Sequence, residues 1–449
     1  MVRSRWLFGF ALVATSVVAL SGAHAQSLSD SVKIAITTNP QVEGLVHNRE
    51  GIEAEMRRAR GLYLPTLDVR SSIGPEYTDN ILTAGTNGQH MRTELGAILA
   101  QKIYDGGAAS GEVDHQIGRS KSAAWRIREN AENVGLDAVM AHLDVVRLRR
   151  VYQFSDDNVK SHQDLLARVQ QRSKGGAGRE ADVVQAQSRL EQAQADRDET
   201  RGLLQDAEAR YLSVVGRPPA TLEEAQVPAG ALTTDITAAL AQLQSHNPQV
   251  KAREGDIEAA QGLVETADAR FGPTTSLEIS GDKNRNVGGF PGHDNEVRAL
   301  LVLRWNLYNG GADTANREAT YAQVAQAKTD RLQSLRLAEQ SLRQSQAAYG
   351  AAMARVPNLQ SSLEHNNQVR AAYDQQYQVG QRTLLDLLDA QNEVFQAQAR
   401  LATAQGQATY NAYRILAVEG MLLSTLNVPP PAAADPTRPT AIAPRPTTG

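Results

Sequence analysis

Two carboxylates, Asp386 and Asp389, stand three residues apart in `YQVGQRTLLDLLDAQNEVFQAQARL`, just after the Gly380 break. On a helix that spacing places both on one face. Such a pair favours cations, or sits well against the positive end of a helix. Catalysis would need more. The histidines from His47 to His365 show no metal-ligand spacing, Glu223-Glu224 has no neighbour to work with, and `YNGGADT` lacks the Lys-Ser/Thr of a phosphate loop. Neither an enzymatic role nor a cofactor is expected, and the acids must be understood from the elements that carry them.

The chain opens with Arg3 and Arg5, an apolar run from Trp6 to Leu20, and Ala23-His24-Ala25. That order is a secretory signal, expected at 1–25 and cut before Gln26. There is no cysteine, so neither a lipidated N-terminal thiol nor a disulfide is available. The net charge of −4 and the lack of a basic block speak against a nucleic-acid partner. After the signal, no run of eighteen apolar residues would make a membrane helix.

The rest of the chain is written twice. `NPQV` at Asn39 returns at Asn247, 208 residues on; `YDGGA` at Tyr104 returns as `YNGGA` at Tyr308, and `DVVQAQ` at Asp182 as `DLLDAQ` at Asp386, both 204 on. Each half reads as a first helix (28–63, then 235–271) ended by Pro65 or Pro273. Two alternating strands follow, 67–77 with 91–103 and 275–282 with 295–307. The turns Gly106-Gly107 and Gly310-Gly311 then open a long helix, 108–174 or 310–379, in which Pro357 is expected to make a kink. A last helix, 181–215 or 383–419, repeats small and apolar residues every three and four, the coiled-coil period. At 1.5 Å per residue the long helix spans ~100 Å, matched by two shorter ones end to end.

In domain terms the expectation is a helix over 26–66, a β-hairpin over 67–104, coiled-coil helices 105–216 and a linker 217–234. Repeat 2 follows with helix 235–273, hairpin 274–308 and coiled-coil helices 309–427. A Pro-rich tail, 428–449, is expected to be disordered.

In `EVRALLVLRWNLY`, Val297, Ala299, Leu301, Leu303, Trp305 and Leu307 share one strand face, with Arg298, Leu300, Val302, Arg304 and Asn306 on the other. This alternation suits a membrane barrel strand, and equally a half-buried strand of a soluble sheet. Export, and long helices flanking each hairpin, favour the barrel. Four strands cannot close in lipid, because an open edge leaves backbone groups unsatisfied. Three copies would supply twelve.

With these features on view, the chain resembles the TolC-type outer-membrane efflux proteins. The duplication, `LYLP` before the first strand, the `YDGGA`/`YNGGA` turns and `VGQRTLLDLLDAQ` carry the resemblance, from about Leu28 to Leu426. It implies a mainly α fold with a small membrane β part. Tandem-duplicated long coiled-coil helices and four strands per chain would form a trimeric α-barrel tunnel joined to a 12-stranded β-barrel. It implies a homotrimer in bacterial outer-membrane lipid with a long periplasmic extension. Docking to a periplasmic adaptor and an inner-membrane transporter would supply the energy.

Asp386 and Asp389 match the inward-facing aspartates of that family's tunnel entrance, and mutual repulsion of six carboxylates should raise some of their pKa values. Tyr377 and Arg382 match an entrance latch that bonds to an acid at Asp182; Ala181 stands where a hydroxyl partner is expected. Gly176, Val379 and Gly380 mark the tips that would meet the adaptor. `RRARGLYLP` and `GPE` look closer to type I secretion members than to drug-efflux ones. A periplasmic coiled-coil adaptor or a structural envelope protein is the alternative, although neither calls for two alternating hairpins.

Overall fold

The computed structural model describes residues 25–438 apart from 80, 87, 177 and 234. Nearly all of the expected signal segment lies outside these residues. Each repeat is built from helices of the same four lengths. Repeat 1 has α1 (Leu28–Thr38), α2 (Pro40–Arg60), α3 (Ala108–Lys174) and α4 (Glu180–Val215), of 11, 21, 67 and 36 residues. Repeat 2 has α5 (Ile236–His246), α6 (Pro248–Asp268), α7 (Ala312–Gln378) and α8 (Leu384–Glu419), again 11, 21, 67 and 36. A short α9 (Leu422–Thr425) follows.

The single first helix expected in each half is two helices. Asn39 and Asn247 take extended backbone, and the next residue is proline, which has no N–H to offer and holds its predecessor out of the helical region. Their side chains accept from the amides of Gln41 (2.8 Å) and Val250 (3.0 Å), so each `NP` ends one helix and caps the next. Pro357, by contrast, lies within one uninterrupted α7.

The strands β1 (Thr66–Thr78), β2 (Gly88–Tyr104), β3 (Thr274–Val287) and β4 (Phe290–Arg304) form one antiparallel sheet in chain order. The repeats join where Leu99 faces Ile279. Registers put Leu67, Val69, Leu95, Leu277, Val297 and Leu301 on one exposed apolar face. The other face is charged and cross-linked: Arg70 to Asp282 (3.1 Å), Arg92 to Glu76 (2.7 Å), Arg304 to Glu278 (3.0 Å). β4 stops at Arg304, short of the expected Leu307, and the Trp305 indole N–H donates to the Phe271 carbonyl instead (3.0 Å). Among the described residues β1 and β4 each have one strand neighbour, so both edges are open. After β2 and β4 the chain turns on left-handed glycines, Gly106-Gly107 and Gly310-Gly311, with φ between +58° and +98°. Glycine alone adopts these angles without strain.

Over 428–438 the tail departs from expectation, while its remainder, 439–449, lies outside the described residues. Val428, Ala433 and Ala434 are buried, and the alanines pack on Ile127. Arg49, 1% exposed, donates to the carbonyls of Ala433, Asp435 (2.8 Å) and Arg438 (2.6 Å) while pairing with Glu53 at 3.1 Å. A proline-rich segment carries little hydrophobic period, yet its carbonyls are free to accept, and one guanidinium collects three. Arg49→Ala is expected to release the segment after Val428. Limited proteolysis with mass spectrometry of the C-terminus should show faster trimming than in the parent protein, and an equal rate would contradict the docking.

Candidate functional site

At the end of the bundle away from the sheet, two helical hairpins meet: α3–α4 and α7–α8. Their turns are built alike. Gly176 and Gly380 hold φ of +80° and +79°, and their amides donate to Ser173 and Tyr377. Val379 is exposed at the second turn. Behind the turns a common core forms from Val159, Leu165, Val169, Ala186 and Leu190 of the first hairpin and Leu384, Leu387 and Leu388 of the second.

Thr383 caps α8 in a reciprocal box. The Asp386 amide donates to its hydroxyl (3.3 Å), and the Asp386 carboxylate accepts from the Thr383 hydroxyl (2.8 Å) and amide (3.2 Å). These bonds, with Arg382 at 3.8 Å, hold the Asp386 carboxyl below the usual carboxylate range. In the single chain the direction is thus the reverse of the increase expected from repulsion. Asp389 accepts from Arg189 of α4 at 3.0 Å.

The latch residues are not joined as expected within one chain. Arg382 donates to Gln376 (3.1 Å) and stacks on Tyr373 (4.4 Å), away from Asp182. Tyr377 meets Arg172, whose guanidinium lies 5.0 Å over its ring and donates to its carbonyl (3.2 Å). Three arginines of the first hairpin therefore hold the second: Arg168 on Asp374 (2.8 Å), Arg172 on Tyr377, and Arg189 on Asp389. Residue-by-residue matching to a family pattern overlooked them. The available signal was the i, i+4 spacing of Arg168 and Arg172 at the end of α3.

Among the described residues no cluster of His, Asp and Glu suits a metal, and no helix is long and apolar enough to cross a membrane. What the fold defines is a class: a tandem-duplicated long-hairpin protein with an open, two-faced sheet at the far end. The chain belongs to the outer membrane efflux protein family, whose model matches residues 32–217 and 239–420. It is 25% identical to the outer membrane efflux protein BepC of Brucella suis, covering 79% of this chain and 78% of that one. It is 23% identical to the proteases secretion protein PrtF of Dickeya chrysanthemi, covering 87% and 88%. A crystal structure of a membrane protein from Pseudomonas aeruginosa superposes with a TM-score of 0.77 at 19% identity, over 87% of this chain and 90% of that one. Family membership makes the protein an outer-membrane channel of the efflux and secretion type, its long helices on the periplasmic side.

Proposed function

We propose that three copies of this chain form an outer-membrane exit duct whose periplasmic mouth is lined by Asp386 and Asp389. The observation that carries the reading is incompleteness. In lipid the open edges of β1 and β4 must be paired, and the smallest membrane barrels have about eight strands. Two copies would reach that minimum; three give twelve strands and suit the doubled helical unit, six quasi-equivalent hairpins around one axis. The apolar sheet face would meet lipid and the charged face the lumen.

The helices are incomplete in the same sense. α3 buries a stripe along its length, whereas α7 buries only Thr320, Ser334, Ala338, Leu342, Ser345 and Ala352 among the described residues. α3 lies along α6 within the chain; the quasi-equivalent pair is α7 with α2 of a neighbour. Gly118 and Ala259 touch in the first pair. Their counterparts, Ala322 and Gly51, are both exposed, so the one glycine moves to the other helix and the close approach is kept.

A periplasmic adaptor meeting the tips around Gly176, Val379 and Gly380, and an inner-membrane transporter behind it, would complete the system. Asp182, Tyr377 and Arg382 are then available for contacts between protomers at the mouth. Similarity to PrtF, together with `RRARGLYLP`, supports secreted protein as cargo, in the type I manner. Asp386→Ala with Asp389→Ala is expected to leave the trimer intact in detergent. In planar bilayers under a salt gradient it should move the reversal potential toward anions. An unchanged reversal potential and unchanged multivalent-cation block would reject the carboxylate mouth.

A further inference from the structure

The mouth residues do not stand alone. Arg189 sits on α4 and Asp389 on α8, two hundred positions apart, yet a guanidinium N–H meets the carboxylate at 3.0 Å. The contact is set by helices rather than by loops. Ala186 and Leu190, on either side of Arg189, are buried in the same cluster as Leu387 and Leu388, the neighbours of Asp389. The ion pair therefore flanks a packed seam and is registered by it. The Arg189 charge also reaches the buried His162: burial first, and then Arg189, lower the pKa of that ring.

The duplication shows that this cation is particular to one hairpin. The first hairpin carries Asp182, Gln185 and Arg189; at the matching places the second carries Asp386, Asp389 and Glu393. Asp182 and Asp386 are common to both hairpins, but Asp389 and Glu393 are acids of α8 alone, and at those places α4 carries a glutamine and an arginine.

We propose that Arg189 is a built-in countercharge of the duct mouth, cancelling Asp389 so that the charge balance across the α4–α8 seam sets ion selectivity. This rests on the reading of Asp386 and Asp389 as mouth residues. A carboxylate with a guanidinium at 3.0 Å presents a dipole to a passing ion rather than a full charge. Beyond one Debye length, about 8–10 Å at ordinary salt, little of its field is left. Asp386, whose nearest cation is Arg382 at 3.8 Å, keeps more of its charge. A mouth of this kind passes acidic polypeptide segments more readily than six bare carboxylates would.

Reversal potentials under a salt gradient test this, because they do not depend on how often the duct is open. Arg189→Gln is expected to raise the cation-over-anion permeability ratio about threefold, the order for three unmasked charges acting across about one Debye length. Asp389→Asn should lower it by a similar factor, and the double change Arg189→Gln with Asp389→Asn should return it to the parent value. Arg189→Lys should leave it unmoved. If Asp386→Asn with Asp389→Asn shifts the ratio while neither Arg189→Gln nor the single Asp389→Asn does so in the stated direction, the countercharge is wrong and the carboxylate mouth stands. If the double aspartate change shifts nothing, both fall.

Discussion

Replacing Gly262 by leucine is expected to leave a chain that cannot close its upper bundle. α3 and α6 meet backbone to backbone over glycines spaced by seven, Gly111 and Gly118 on one helix, Gly255 and Gly262 on the other. A Cβ on Gly262 would overlap the His115 amide nitrogen and lie 2.6 Å from the Gly111 carbonyl; one on Gly255 would lie 2.6 Å from the Ser122 nitrogen. These are main-chain atoms of a rigid helix, so no side chain can swing aside. Overpacking a well-filled core costs about 1–3 kcal/mol where neighbours can adjust, and more where they cannot. Gly262→Ala should fall near the top of that range and Gly262→Leu beyond it, measured as loss of folded protein on urea titration in detergent. Parent-level stability in the leucine variant would mean that the two backbones do not meet at this glycine.

Gly51 supplies the contrast. Nothing lies within 4 Å of a Cβ built there, so Gly51→Leu should not harm the single chain, and replacing a mid-helix glycine should strengthen α2 by roughly 1 kcal/mol. If α2 receives α7 of the next protomer, the same substitution stops assembly. A folded monomer, with no trimer on chemical cross-linking, is the expected product. Trimer at the parent level would remove α2 from the subunit interface.

These glycines show where sequence reasoning reached and where it ended. Offsets of 204 and 208 marked the duplication, and residues recurring every three and four marked α4 and α8, because a helix face repeats locally. `NPQV` was visible as a repeat marker, but its work as a helix break depends on the Asn39 side chain capping α2. The close approach of Gly118 to Ala259 joins positions far apart in the chain, and glycine spacing on one helix does not name its partner. The same holds for Arg49, whose acceptor Ala433 lies 384 residues away. It holds for Arg189 as well: the spacing placed Asp386 and Asp389 on one face but said nothing of the cation opposite them.

Changing Glu419 to glutamine should stabilise the protein above neutral pH and leave it unchanged near pH 4. Glu419 ends α8 where the chain turns at Gly420 against His246 and Pro248, at the α5–α6 break. It is 0% exposed, and neither carboxylate oxygen makes a hydrogen bond among the described residues. Burial without a compensating bond raises its pKa from 4.5 to about 7. The folded state therefore binds a proton that the unfolded state has released between these values. Stability from this group is complete below pH 4.5 and is lost as pH rises to about 7, amounting to roughly 3 kcal/mol above that at 1.36 kcal/mol per unit. Glutamine resembles the protonated acid and cannot ionise. Unfolding free energies of the two proteins should coincide near pH 4 and diverge toward pH 8, with Glu419→Gln the more stable. A difference that stays constant across that interval would show that Glu419 does not titrate in the folded protein. Glu132, 1% exposed and also raised to about 7, accepts from the Leu423 amide at the start of α9. Because that carboxylate keeps a bond that glutamine would retain only in part, Glu132→Gln should gain less at high pH than Glu419→Gln.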